Sequence, residues 1–154
     1  MRAAPGRSKR ADRASDPLSP FSTRGRASGT RLAIIADDDE TTRVILHDAM
    51  TRLGFTALPV DDGGEIWPVL DREDVGVLIL DLNMPGMNGW EVLRRLRDDF
   101  RYRSKRSQLR VIILSGQSDR TSRDFVHSLG ADVFLAKPLD LEELSRALGA
   151  NRES

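Results

Sequence analysis

Short apolar runs alternate with segments of helical periodicity from residue 32 to residue 149, and this alternation restricts the possible folds more than any other feature. Five runs are strand candidates: 32–36, 55–60, 75–80, 111–114 and 133–136. The segments between them place apolar residues three or four positions apart, as in the series from Leu46 through Met50 to Leu53, which indicates amphipathic helices. Parallel strands need long crossover connections, and helices supply them. The pattern therefore predicts an α/β domain of (βα)5 type, with a doubly wound parallel five-stranded sheet covered on both faces.

Composition limits the chain to one soluble core and excludes several chemistries. The 154 residues match the usual size of a single domain, and 39% hydrophobic content is enough for one interior. No apolar run approaches the roughly 18 residues of a membrane span, so no membrane association is expected. With no cysteine in the chain, disulfides and thiol nucleophiles are excluded, and a cytoplasmic location is expected.

The net charge of zero is an average over two unlike parts of the chain. Residues 1–31 carry eight basic and two acidic side chains and few large apolar ones, which predicts a disordered basic extension. Such a segment is a flexible extension, a transit peptide, or an arm for nucleic acid or anionic lipid. The expected organisation is this extension, an acidic domain over residues 32–149, and a short tail over residues 150–154.

Polar side chains follow four of the five apolar runs directly. Asp37 and Asp38 follow the first run, Asp81 the third, Ser115 the fourth and Lys137 the fifth. Ligands of open parallel sheets bind beyond the carboxyl ends of the strands. A single Asp or Ser after a strand is usually a helix cap or a turn residue. The set of five predicts one site that combines three carboxylates, a hydroxyl and an ammonium.

Three carboxylates in one pocket indicate a metal-assisted reaction. They repel one another unless a cation neutralises them, and a site made of oxygens with room for water suits Mg²⁺. Lys137 is a poor metal ligand but a good partner for an anion beside the metal. A dication and an ammonium that face a carboxylate fit phosphoryl transfer to an aspartate oxygen.

The same residues lie in four motifs whose order resembles the receiver domain of two-component response regulators, in particular the stand-alone, chemotaxis-regulator-like type. The acidic pair lies in IIADDDE, the third-strand aspartate in LILDLNMPGMNG, the serine in VIILSG and the lysine in VFLAKP. The resemblance covers residues 32–149. It implies a flavodoxin-like sheet with strand order 2-1-3-4-5.

The resemblance also implies roles for the site residues. Asp81 would accept a phosphoryl group from a phosphohistidine of a histidine kinase or a histidine phosphotransfer protein. Asp38 and Asp81 would bind Mg²⁺ directly, Asp37 mainly through water, and the Asn83 backbone carbonyl would complete the protein ligands. Lys137 would pair with a phosphoryl oxygen. The domain would catalyse only its own phosphorylation and dephosphorylation, so it is not expected to be an enzyme in the ordinary sense.

A conformational switch is the further implication of the resemblance. Ser115 would move to hydrogen-bond the phosphoryl group, and Phe134 would turn inward into the vacated space, changing a face that binds a downstream protein target. Asn83 and Gln117 occupy positions that tune hydrolysis of the acyl phosphate in the family. The bond between Lys137 and the proline after it is usually cis there.

A haloacid-dehalogenase-like Mg²⁺-dependent phosphatase is the alternative, with Asp37 as the nucleophile of the sequence DDDET. That class needs an acidic motif at a strand end after the lysine. Only Asp140, Glu142 and Glu143 follow, on the final helix, and Asp81 would have no role. A folded domain that is never phosphorylated is disfavoured because every reactive position is filled.

Two further features bear on partners. Residues 94–110 hold eight basic side chains against two acidic ones, which indicates either a solvated basic loop or a docking patch for an acidic partner. Nucleic-acid binding is disfavoured because this run contains only two aromatic residues and no recognition module. The last predicted helix ends close to residue 149, so we expect no output domain and a role as a phosphorelay intermediate, a phosphate sink or a stand-alone regulator.

Overall fold

The computed structural model describes residues 31–116 and 120–150. Five strands lie within them: β1 (Leu32–Ala36), β2 (Thr56–Val60), β3 (Val75–Asp81), β4 (Arg110–Ser115) and β5 (Val133–Ala136). The α-helices are α1 (Glu40–Arg52), α2 (Ile66–Arg72), α3 (Gly89–Asp98), α4 (Arg103–Gln108), α5 (Arg120–Ser128) and α6 (Leu141–Ser145). Shorter helical turns cover Gly63–Glu65, Phe100–Tyr102 and Arg146–Ala150.

All five strands are parallel and lie in the order β2-β1-β3-β4-β5. The central strand β3 is buried along its whole length, which explains why its sequence VGVLILD is continuously apolar up to the final aspartate. β2 is an edge strand and is mostly exposed, so its apolar pattern is the weakest of the five. The doubly wound sheet and the strand order 2-1-3-4-5 are confirmed.

Side chains alternate between the two faces of the sheet and form two core layers. In β1, Ile34 belongs to one layer, while Ala33 and Ile35 belong to the other. The layer containing Ile34 packs against the buried residues of α2, α3 and α5. The layer containing Ile35 packs against those of α1 and α6. Both faces are therefore covered, and the carboxyl ends of the strands meet at one edge.

The segment between β3 and β4 differs most from the prediction. The apolar residues Val92, Leu96 and Phe100 are spaced four apart, which predicts a helix that includes Phe100. Instead, α3 ends at Asp98 and the Phe100 side chain is 79% exposed. Asp99 ends the helix and starts the next turn, since its side chain accepts a hydrogen bond from the Arg101 backbone N–H. The basic run over residues 94–110 is thus mostly helical, and the expectation of a loop was wrong.

Several predictions fall outside the described residues. These are the disordered extension over residues 1–31, apart from Arg31, the tail beyond residue 150, and the tuning position Gln117. Within the described ranges, no helix combines the length and the apolar character that crossing a bilayer requires.

Candidate functional site

The turn between β1 and α1 fixes the first two aspartates. The Asp37 backbone N–H donates to the Val60 carbonyl at 3.1 Å, so the sheet bonding continues one residue past β1. Asp37 is 1% exposed, whereas Asp38 next to it faces solvent. The Asp39 backbone N–H donates to Asp37 Oδ1 at 2.9 Å. The Asp39 side chain caps α1 by accepting from the Thr42 backbone N–H, so this third aspartate is a helix cap.

Asp81 is the last residue of β3 and lies at the same carboxyl edge of the sheet as Asp37. Its carboxyl group is buried, and Oδ1 accepts a hydrogen bond from the Asn83 backbone N–H at 3.1 Å. The start of α3 lies directly against it, because a Cβ atom added to Gly89 would approach the Asp81 carbonyl oxygen to 2.4 Å. Glycine is therefore required at that position by close approach of the backbone.

Lys137 joins the two buried carboxylates. Its backbone N–H donates to the Ser115 carbonyl at 2.8 Å, which extends the pairing of β4 and β5 and directs the side chain to the site. Nζ lies 3.1 Å from Asp37 Oδ2 and 3.5 Å from Asp81 Oδ2. The peptide bond between Lys137 and Pro138 is cis, as the resemblance implied.

The three aspartates form a cluster with the composition of a cation site. One carboxylate oxygen from each of Asp37, Asp38 and Asp81 lies within 4.8 Å of the others. Asp37 Oδ2 is buried and, despite the nearby ammonium, accepts no hydrogen bond of acceptable geometry from the described residues. A buried carboxylate oxygen left in that condition favours binding a cation. The oxygen donors are those that Mg²⁺ prefers, so the residues fit that ion.

Burial and charge make Asp81 a perturbed carboxyl group. Burial, and then the negative charge of Asp37, raise the pKa of Asp81 from 3.8 to about 6, against the opposing effects of the Asn83 N–H and of Lys137. Burial acts to lower the pKa of the Lys137 ammonium, but its close ion pair with Asp37 and the negative charge of Asp81 outweigh this effect and raise that pKa. The cluster therefore holds excess negative charge that a dication would stabilise.

Ser115 and Phe134 lie beside the cluster on β4 and β5. Ser115 is fully buried at the end of β4, where the preceding residue pairs with Asp81. Phe134 is also buried, and the guanidinium carbon of Arg123 lies 4.5 Å from its ring centroid. The structure thus brings Ser115 to the carboxyl edge, with Phe134 below it on the neighbouring strand.

Two arginines near the site were not predicted. Arg43 donates from its side chain to the Asp37 carbonyl at 2.8 Å and so holds the β1–α1 turn. Its position one helical turn after the Asp39 cap could have indicated this, because residues four apart lie on the same side of a helix. Arg123, which covers the Phe134 ring, has no comparable sequence signal.

A doubly wound parallel sheet with an acidic cluster and a lysine at its carboxyl edge defines the receiver-like class of flavodoxin-like domains. The family model described as the response regulator receiver domain matches residues 33–149. This chain therefore belongs to the response regulator receiver domain family.

Relatives include both short and long regulators. The chain is 33% identical over 118 residues to the probable chemotaxis protein CheY of Rhizobium etli, covering 76% of this chain and 88% of that protein. It is 32% identical over 111 residues to the transcriptional regulatory protein TorR of Escherichia coli K12, covering 72% of this chain and 45% of TorR. The chain thus spans about half the length of the transcriptional regulators TorR and TcrA, of which the matches cover 45% and 47%.

Solved structures share the fold. A response regulator receiver protein from Pseudomonas putida has a TM-score of 0.68 at 28% identity, covering 77% of this chain and 95% of its own. The receiver domain of the Pseudomonas aeruginosa sensor histidine kinase PA1611, which holds a magnesium ion in its active-site cleft, has a TM-score of 0.69 at 21% identity and covers 81% and 99%. The latter similarity concerns the fold alone.

Proposed function

We propose that this receiver domain accepts a phosphoryl group on Asp81 from a phosphohistidine of a histidine kinase or a histidine phosphotransfer protein. Receiver domains are signalling domains, not enzymes in the ordinary sense. The observation that carries the proposal is the cluster of three carboxylates in which one ammonium contacts both buried members. Asp81 ends the central strand β3 and contacts Lys137, which favours the receiver interpretation over a phosphatase with Asp37 as nucleophile, where Asp81 would have no role.

Magnesium is the proposed cofactor. Asp38, Asp81 and the Asn83 carbonyl would hold it directly, and Asp37 would act mainly through water. When bound, the ion supplies positive charge that neutralises the phosphoryl oxygens. Two features support this assignment: the incompletely bonded oxygen of Asp37, and the exposure of Asp38, which leaves the cluster open to solvent.

The chain's own residues carry the transfer. An oxygen of the ionised Asp81 carboxylate attacks phosphorus, the P–O bond forms, and the P–N bond to the donor's imidazole breaks with its electron pair returning to the nitrogen. The ammonium of Lys137, already 3.5 Å from Asp81, then pairs with a phosphoryl oxygen. Hydrolysis of the acyl phosphate restores the carboxylate and releases inorganic phosphate.

The readout we propose is a change in the population of two conformations. Ser115 would donate its hydroxyl hydrogen to a phosphoryl oxygen, and the Phe134 ring, already buried here, would shift into the space that Ser115 leaves, so that α5, β5 and α6 present an altered face to a downstream protein target. Support comes from the position of both residues on the adjacent strands β4 and β5. Phe134 pairs with Ile113, and Ser115 pairs with Ala136 two residues closer to the carboxyl edge.

This chain has an exposed apolar surface beside the cluster to which the donor protein could bind. α1 begins next to the acidic pair, and its side chains Val44 and Ile45 are 60% and 45% exposed. Exposed apolar side chains near a polar site mark protein contacts. We therefore propose docking of the donor along α1, with the protein acting in the cytoplasm.

The test is incubation with acetyl phosphate and Mg²⁺, followed by intact mass measurement and peptide mapping. We expect one phosphoryl adduct on the wild type, mapped to Asp81, and none on Asp81→Asn. Asp48→Asn is the matched control, because its exposed carboxylate lies on α1 away from the cluster and should leave the adduct intact. An adduct on Asp37 would support the phosphatase class, and an unmodified wild type would refute the proposal.

A further inference from the structure

The connection between β3 and β4 carries an excess of positive charge on the side of the domain away from the acidic cluster. It runs from Asp81, at the carboxyl edge of the sheet, to Arg110, which pairs with Val77 near the amino edge. Its basic side chains are Arg94, Arg95, Arg97, Arg101, Arg103, Lys105, Arg106 and Arg110. The last part of this connection therefore lies far from the proposed phosphoacceptor.

Two exposed phenylalanines accompany these cations. Phe100 is 79% exposed and Phe125 on α5 is 41% exposed. The guanidinium carbon of Arg103 lies 5.8 Å from the Phe100 ring centroid, and that of Arg94 lies 6.0 Å from the Phe125 centroid. Trp90 at the start of α3 contacts Phe125, with 5.1 Å between centroids, which places α5 beside α3. We name the exposed residues of this surface the Arg–Phe ridge: Arg94, Arg97, Phe100, Arg101, Arg103 and Phe125.

The charges of the ridge are only partly neutralised. Arg97 pairs with Asp98 at 2.8 Å, and Arg101 pairs with Asp99 at 3.1 Å. Both pairs are solvent-exposed, so each stabilises the fold little and leaves the cations able to exchange partners. Arg94 and Arg103 form no ion pair with any carboxylate of the described residues. Their contacts are with the faces of the exposed aromatic rings.

We propose that the Arg–Phe ridge docks an acidic protein segment that combines spaced Asp or Glu side chains with at least one apolar side chain. Guanidinium groups bind carboxylates through two parallel hydrogen bonds, and Arg with aromatic residues forms the core of many protein interfaces. The two rings supply the apolar contacts, and the neighbouring arginines supply the charge.

The charge pattern favours such a segment over a uniform polyanion. Asp98 lies within the ridge with a side chain 61% exposed, and it would repel a continuous array of phosphates. A peptide with separated carboxylates avoids that repulsion. The proposal does not depend on phosphoryl transfer, because the ridge shares no residue with the acidic cluster.

The test uses the full-length, unphosphorylated protein and a fluorescein-labelled peptide of repeating Glu-Glu-Leu-Glu-Glu-Phe units. We expect saturable binding by fluorescence anisotropy, weakened by added salt, and abolished when every Glu of the peptide is replaced by Gln. Amide shifts in ¹⁵N NMR spectra should concentrate at residues 94–103 and around residue 125. Absence of saturation up to about 1 mM peptide, or shifts centred elsewhere, would overturn the proposal.

Substitutions separate the ridge from general charge effects. Arg103→Glu and Phe100→Ala should each weaken binding about fivefold or more, with an unchanged melting temperature, because both side chains are exposed. Arg52→Glu is the matched control. Arg52 is exposed on α1, and its substitution also changes the net charge by two, but this substitution should leave peptide binding intact. Equal losses for Arg52→Glu and Arg103→Glu would contradict the proposal. So would tighter, ridge-dependent binding to single-stranded DNA or phosphatidylserine vesicles.

Discussion

Replacing Asp81 by asparagine should stabilise the metal-free protein at neutral pH. The folded state raises the pKa of this carboxyl group from 3.8 to about 6, with burial as the largest cause. A shift of one pKa unit corresponds to about 1.4 kcal/mol, so the ionised carboxylate costs at most about 3 kcal/mol of folding free energy. Solvent reaches the cluster on the side of Asp38, and this screening reduces the expected gain from Asp81→Asn to about 1–2 kcal/mol.

The pH dependence of that gain has a defined sign. Between pH 3.8 and about 6, the Asp81 carboxyl group binds a proton more tightly in the folded state than in the unfolded chain. The free energy of unfolding of the wild type therefore falls as the pH rises through this window. Above the window the penalty is complete, and below it the Asp81 carboxyl is neutral in both states. The difference in unfolding free energy between Asp81→Asn and wild type should therefore be near zero at low pH and reach its full value by neutral pH.

The assay is urea unfolding in the presence of EDTA across this pH range, repeated with Mg²⁺. Added Mg²⁺ should stabilise the wild type and reverse the ranking, because the substitution removes a charged ligand. Asp48→Asn is again the control, since that exposed carboxylate lies on α1 away from the cluster. A variant of equal or lower stability than wild type at neutral pH without metal, or a difference that does not depend on pH, would refute the electrostatic reasoning.

Three further outcomes follow from the same contacts. Lys137→Ala should lower the unfolding free energy by about 2 kcal/mol or more, measured with urea in EDTA, because two buried carboxylates lose their shared ammonium. Gly89→Ala should lower the free energy of unfolding by about 2 kcal/mol or more, since the added Cβ would lie 2.4 Å from the Asp81 carbonyl oxygen. The control Gly116→Ala, with nothing within 4 Å of its Cβ, should leave the free energy of unfolding nearly unchanged. Arg123→Ala should cost about 0.5–1 kcal/mol and should broaden the ¹⁹F signal of fluorinated Phe134, since the ring loses its guanidinium cover; an unchanged spectrum would contradict that contact.

Predicting the fold from sequence works here because the strands are buried. The run at β3 is apolar on both faces and ends in an aspartate, so its position and its end are readable without neighbours. β2 is at the edge and mostly exposed, so its start shifts by one residue, from Phe55 to Thr56. The segment around Phe100 misled the prediction because apolar spacing shows which residues could face a core, not whether a helix continues far enough to bury them.

The sequence by itself determined which side chains meet at the carboxyl edge. Parallel strands start and end in the same direction, so any polar residue that follows a strand is delivered to that edge whatever the details of packing. Tertiary structure alone decided that the Lys137 ammonium contacts both buried carboxylates and that Asp81 has a raised pKa. These properties depend on burial and on distances of a few ångströms between residues remote in the chain, which local patterns of sequence do not specify.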